Sequence, residues 1–257
     1  MKEYDKYLKL LKEKYPTKQS VYRELINLNA IMNLPKGTEH FMSDLHGEYD
    51  VFYHIINNCS GVIREKVAML YGDELTVYEQ QELCTLIYYP REKLSILMDE
   101  NKVNDEWYRN VLNQLIQIAK LLSSKYTRSK VRKAMPVDFA YIIDELIHAQ
   151  KDEDDNRSVY HRQIMETILS LHNGDEFLVA LTDLIKRLAV DHLHILGDIY
   201  DRGAHADKIL DLLMEHHSVD IQWGNHDILW MGAFCGNPVC MALVVRNNIK
   251  YKTMSIL

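Results

Sequence analysis

The chain reads as an α/β fold in which helix outweighs strand. Three observations predict it. Gly and Pro number only 10 and 5 in 257 residues, too few for an all-β protein built on tight turns. Apolar residues recur at intervals of three and four through most of the chain, the period of an amphipathic helix. Three short apolar runs each lead into a polar cluster, as the strands of an α/β sheet lead into their functional loops.

The elements follow in order. Leu8, Leu11 and Tyr15 share one helical stripe, Pro16 interrupts it, and Val21, Leu25, Leu28, Ile31 and Met32 begin a second. Leu34-Pro35-Lys36-Gly37 stops that helix. Residues 39–43 (EHFMS) predict a short buried strand. From Glu48 to Val190 the pattern is helical, with clear stretches at 107–126, 137–150 and 176–190. The charged run 151–157 (KDEDDNR) predicts an exposed linker. HLHIL, from His192, predicts a second strand, with Leu193 and Ile195 on one face. A helix from Lys208 to His216 and a third strand from Val219 to Trp223 follow. After Trp223 the remaining 257 − 223 = 34 residues read as helix, 228–234 and 239–245, and a polar tail.

Composition bounds the function. A length of 257 allows one large domain or two ordinary ones, and 26% charged residues is ordinary for a globular protein. With 30 Lys+Arg against 37 Asp+Glu, the net charge of −7 argues against a nucleic-acid partner. No run approaches the roughly 18 apolar residues of a membrane span, so no membrane partner is expected. The charged N-terminus has no signal-peptide core, and the four cysteines are too scattered for a disulfide scaffold or zinc ribbon. A reduced, cytoplasmic location is the expectation.

The three polar clusters are Asp44-x-His46, Gly197-Asp198-x-x-Asp201-Arg202 and Gly224-Asn225-His226-Asp227. Together they point to a two-metal site. Two divalent ions about 3.5–4 Å apart need a small anionic bridge, which a carboxylate at a strand end supplies. Asp198 is the candidate bridge. Asp44 and His46 would bind the first ion in a mixed carboxylate–imidazole shell suited to Mn, Fe or Zn, and Asn225 would offer an amide oxygen to the second. The adjacent glycines allow close backbone approach. D-x-H alone is uninformative. The joint order of all three clusters, each after a strand, is specific.

These clusters resemble the signature of the calcineurin-like metallophosphoesterases. The stretch LPKGTEHFMSDLHGEY (34–49) is similar to the start of the class III fructose-1,6-bisphosphatases of Firmicutes. Most metallophosphoesterases separate the first two motifs by one helix unit. Here the gap is 198 − 44 = 154 residues and helical, again like the class III enzymes. The resemblance implies a partial αββα sandwich, an α/β (α+β) core formed by 1–47 and 191–257. The large all-helical insertion, 48–190, would lie between the first and second metal motifs. It implies manganese in a dinuclear site, with Asp44, His46, Asp198 and Asn225 as metal ligands. It implies that His226 contacts the phosphate and protonates the leaving oxygen, that Asp201 orients His226, and that Arg202 clamps phosphate. The chemistry suits these roles: a guanidinium fork fits phosphate oxygens, and a carboxylate-held imidazole can act as a general acid. The implied partner is a sugar bisphosphate, the reaction hydrolysis of the C1 phosphate of fructose 1,6-bisphosphate in gluconeogenesis.

Other residues take structural readings. His40, His192 and His194 are expected to be structural strand histidines. His216 and His217 would close a helix, where a partly charged imidazole suits the dipole. Cys235 and Cys240 read as ordinary thiols, and the tyrosines between 71 and 160 as packing at the rim of the insertion, with room for an oligomer interface. His226 is the last histidine, whereas the resembled family takes further imidazoles from downstream motifs. The resemblance is therefore to the N-terminal part only, and the C-terminal part of the core is read as missing. The expectation is a fragment or truncated gene product rather than a domain completed by a second chain. Weak metal binding, little activity, and association through uncovered strand edges are expected of it. The alternatives are another metallophosphoesterase, such as a protein Ser/Thr phosphatase or dinucleoside-polyphosphate hydrolase, and a non-catalytic remnant.

Overall fold

The computed structural model describes residues 2–149 and 155–256 of the chain. Helices α1 (Lys2–Lys14) and α2 (Lys18–Ile31) come first, with the break where Pro16 stands. Thr17 and Ser20 cap the start of α2 reciprocally, satisfying two orphan backbone donors. Strand β1 (Glu39–Met42) follows. Among the described residues, nine α-helices then run to residue 189: α3 (Tyr49–Asn58), α4 (Val62–Tyr71), α5 (Val77–Tyr88), α6 (Pro90–Asp99), α7 (Asp105–Ser123), α8 (Arg128–Ala134), α9 (Ala140–His148), α10 (Asp155–Ser170) and α11 (Gly174–Ala189). After them come β2 (His192–Ile195), α12 (Ala206–Glu215), β3 (Val219–Ile221), α13 (Asn225–Phe234) and α14 (Pro238–Tyr251). Of the expected linker 151–157, residues 151–154 lie outside the described residues and the rest opens α10. Each strand stops one to two residues short of its expected end, because the polar cluster that follows bends the chain out of the sheet.

The strands form one parallel sheet in the order β1-β2-β3. Glu39 pairs with His192 and Phe41 with His194, and His194 in turn pairs with Asp220. Parallel neighbours need crossover connections. The first crossover is the whole helical stretch and the second is α12 alone. Among the described residues this is the only sheet.

Two apolar cores support it. The larger lies within the helices, where α7 and α11 pack face to face through residues such as Leu112, Leu115, Ile118, Leu122, Leu178, Leu181 and Ile185, all fully buried. Gly174 allows that approach, since a Cβ there would stand 3.0 Å from the Tyr108 ring. The smaller core joins Leu193 and Ile195 of β2 to Phe52 of α3 and to Ile209 and Leu213 of α12. Strand alternation puts His192 and His194 on the opposite face of β2, where they are half-buried. Several large apolar side chains stay exposed, including Phe41 at the sheet and Trp223 and Phe234 beyond it.

His216 and His217 depart from the expected charged helix cap. Burial, with His217 stacked 4.5 Å away, pushes His216 down to about 4 and His217 below its ordinary value. Desolvation disfavours the imidazolium more than the helix dipole favours it.

Candidate active site

The three polar clusters meet at the carboxyl ends of the strands, stitched together by main-chain hydrogen bonds. The Asp44 amide donates to the Gly197 carbonyl at 3.1 Å, His46 to Asp198 at 2.8 Å, Gly47 to Ile199 at 2.8 Å and Gly203 to His46 at 2.6 Å. The first and second loops therefore lie backbone against backbone. A Cβ on Gly47, whose φ is +67°, would meet the Gly203 carbonyl oxygen at 2.4 Å. The second and third loops are equally close, since a Cβ on Gly224 would stand 2.0 Å from Asp198 Oδ1. Glycine here is required by contact.

Asp227 ties the site together. Its carboxylate is buried and accepts four backbone N–H bonds: Asp198 and Gly224 on Oδ2 at 2.8 and 2.9 Å, Ile199 and Tyr200 on Oδ1 at 2.8 and 3.2 Å. This holds the 198–200 turn against the start of α13. Sequence reasoning noted Asp227 only as the last letter of its motif. A carboxylate there was the available signal, because a loop of adjacent N–H groups needs an acceptor.

The backbone is strained where the chemistry sits. Among the described residues, ten non-glycine residues have positive φ, and Asp44, His46, Asp198, Asp201 and Arg202 are five of them. Such conformations persist only where surrounding bonds over-determine them, and they cluster at functional sites.

Asp44, His46 and Asp198 bring ligand atoms within 4.8 Å of one another. His46 is buried, and its Nδ1 lies 3.0 Å from the Tyr200 carbonyl. A carbonyl only accepts, so Nδ1 carries the proton and Nε2 presents a bare lone pair. That Nε2 is buried, has no hydrogen-bond partner, and stands 3.5 Å from Asp44 Oδ1. A buried orphan nitrogen beside two carboxylates, with its tautomer set by a backbone bond, is a donor set that fits a divalent ion.

Asp201 is 3% exposed, which excludes a surface ion pair with Arg202. Its Oδ2 accepts from His226 Nδ1 at 2.6 Å and Asn247 Nδ2 at 2.8 Å, and its Oδ1 from Trp230 Nε1 at 3.0 Å. Trp230 on α13 also stacks on Tyr200 at 4.7 Å. The α13–α14 pair thus folds back to clamp the carboxylate that orients His226. Trp230 and Asn247 carried no motif signal, since their role depends on that fold-back. The His226 amide donates to Asp198 Oδ1 at 3.1 Å, and the His226 ring lies edge-on to His46 at 5.1 Å. Arg202, next to Asp201 in the chain, is exposed, and Asn225 is exposed at the first turn of α13. His40 lies elsewhere, in a cavity of about 290 Å3 at the amino ends of the strands that Lys186 and Arg187 also line.

Comparison with known proteins gives the family. The chain is 53% identical over 267 residues to "Fructose-1,6-bisphosphatase class 3 1" of Clostridium beijerinckii, covering 100% of this chain and 40% of that protein. It is 54% identical over 252 residues to "Fructose-1,6-bisphosphatase class 3" of Listeria monocytogenes, covering 98% and 38%. The protein of the same name from Clostridium acetobutylicum is 53% identical over 250 residues, 97% and 37%. The chain thus spans about two fifths of the length of these curated relatives. No solved structure matches it. The profile described as "Firmicute fructose-1,6-bisphosphatase" matches residues 6–257, nearly the whole chain, and to that family the chain belongs.

Proposed function

We propose that this chain carries the first group of metal ligands and the general-acid group of a dinuclear phosphatase site. The activity it serves is hydrolysis of the C1 phosphate of fructose 1,6-bisphosphate. The observation that carries the reading is the pairing of a bare, buried His46 Nε2 with an Asp201-oriented His226 across one small site. The sugar bisphosphate itself rests on the family and on the names of the relatives.

Asp44, His46 and Asp198 would hold the first ion, with Asp198 shared toward a second ion to which Asn225 lends its amide oxygen. Manganese is the metal proposed, as mixed carboxylate and imidazole donors accept it. When bound, the ions supply a nucleophile at neutral pH and neutralise charge developing on phosphate. Asp201 accepts the Nδ1–H of His226 and so turns Nε2 toward the reacting group. From there His226 can hold a proton against the leaving oxygen, and the buried carboxylate stabilises the ring while it does so. Arg202 would take two phosphate oxygens at once. By the resemblance, further imidazoles belong to the second ion, and none follows His226 in this sequence. Weak metal binding and slow turnover are proposed for these 257 residues by themselves.

The test is manganese binding to the purified chain, with fructose 6-phosphate and phosphate release followed together. H46A and D198N should each abolish manganese binding and whatever release is seen. Binding unchanged in both variants, or faster release from a phosphoprotein or a dinucleoside polyphosphate, would overturn the proposal.

A further inference from the structure

A second group of metal-ligating side chains lies on the sheet face away from the small apolar core. His192 and His194 are two apart on β2, so both rings project from that face, and Asp220 on β3 is the direct register partner of His194. Both imidazoles converge on this carboxylate: His192 Nε2 lies 3.1 Å from Oδ2 and His194 Nδ1 2.9 Å from Oδ1. The three ligand atoms all lie within 4.8 Å of one another. A tetrahedral ion with bonds of about 2.0–2.1 Å needs donor atoms about 3.3 Å apart, close to the spacing already present.

The outer contacts favour ligation. His192 Nδ1 is 2.6 Å from Ser218 Oγ. A hydroxyl can accept as well as donate, so it can hold the tautomer that frees Nε2. His194 supplies the stronger observation. With its Nδ1–H donated to Asp220, its Nε2 is a bare acceptor, and that atom is buried without a partner. Glu39 Oε2, an acceptor, is the group near it, at 3.9 Å. Two acceptors facing each other are mismatched. Ligation calls for the other tautomer, in which Nε2–H faces Glu39 and bare Nδ1 faces His192 and Asp220, so that an ion takes the place of the Nδ1–H···Asp220 hydrogen bond. Phe41, stacked on the His194 ring at 4.3 Å, fixes its plane.

From this we infer a mononuclear site for a zinc-class divalent ion, held by His192 Nε2, His194 Nδ1 and Asp220. It is separate from the Asp44–His46–Asp198 group and independent of the phosphatase reading. Two imidazoles and one carboxylate suit zinc, cobalt or nickel better than magnesium or calcium.

The experiment uses the 257-residue chain carrying H46A and D198N, which removes two of the three ligands of the first group. The protein is stripped with chelator and titrated with Zn2+ by calorimetry and with Co2+ by visible absorption. One ion per chain should bind, with a tetrahedral cobalt spectrum. Adding H192A and H194A should weaken binding by more than about 100-fold, and S218A, an outer contact, by about 10-fold. If the alanine pair does not fold, as judged by circular dichroism, D220N preserves the side-chain shape and should weaken binding by at least about 10-fold. No ion bound in the H46A/D198N chain, or one bound equally after D220N, overturns the assignment. The cluster would then be a hydrogen-bonded His–Asp–His network only.

Discussion

Asp227→Asn removes one charge and changes almost no volume, so its effect measures how far the site depends on a single acceptor. The Asp227 carboxylate takes four backbone N–H bonds, two on each oxygen. An asparagine can serve two of them through its carbonyl. Its NH2 must then face the other two N–H groups, donor against donor. Hydrogen bonds to a charged acceptor contribute about 1.5–3 kcal/mol each, and a buried unpaired donor costs about 1–3 kcal/mol. Relaxation of the 198–200 turn recovers part of this, so a net loss of about 3 kcal/mol is expected. For a chain of this size each kcal/mol moves Tm by roughly 2–4 °C, so Tm should fall by about 6–12 °C. Urea unfolding at pH 7 should show a lower midpoint with an unchanged slope. Metal affinity at the first group should fall too, because the Asp198 amide is one of the donors released. A D227N chain within 1 kcal/mol of the parent, with unaltered metal binding, would refute the view that Asp227 holds the three loops in register.

Other predictions rest on single contacts. His216 has a folded pKa of about 4, below its ordinary 6.5. The unfolded chain therefore binds the extra proton first, and the stability present above pH 6.5 should decline between pH 6.5 and 4, by roughly 1–3 kcal/mol; His216→Gln should flatten that part of the urea-midpoint profile. Gly47→Ala should destabilise by at least about 2 kcal/mol, since its Cβ meets the Gly203 carbonyl and its φ is positive; a Tm equal to the parent's would contradict the close loop contact. Burial pushes the Cys59 thiol up to about 12, so in the native chain a thiol reagent should modify exposed Cys235 quickly and leave Cys59 untouched. Rapid labelling of Cys59 would show that the helical core opens readily.

Much of this was legible in the residues. Periodicity located the long helices because stripes such as Leu112, Leu115 and Leu122 are both regular and buried. The motif loops were legible because glycine, carboxylate and imidazole at fixed spacing have few other uses. The missed features are long-range. Trp230 and Asn247 became site residues only when α13 and α14 folded back onto Asp201. The charge state expected of His216 failed for the same reason: its position on a helix is local information, while its burial is not. Strand alternation put Leu193 and Ile195 together, yet it could not show that Asp220 sits opposite His194, because parallel register is set by a crossover and not by a turn.

The strain at the site explains why those long-range contacts are needed. Asp44, His46, Asp198, Asp201 and Arg202 all occupy the left-handed region, at a cost of the order of 1 kcal/mol or more each. Glycine would relieve it but would carry no ligand. The site instead keeps the carboxylates and imidazole and has glycines at 47, 197, 203 and 224, where backbones touch. The conformations are then held by bonds from outside each loop: the four donors on Asp227, the Tyr200 carbonyl on His46, and the α13–α14 pair on Asp201. The Tyr200 carbonyl restrains the first loop, while Asp227 and the α13–α14 pair restrain the second at different residues. Loss of any one should loosen its own loop first and spread to the others only through the main-chain stitching between residues 44–47 and 197–203.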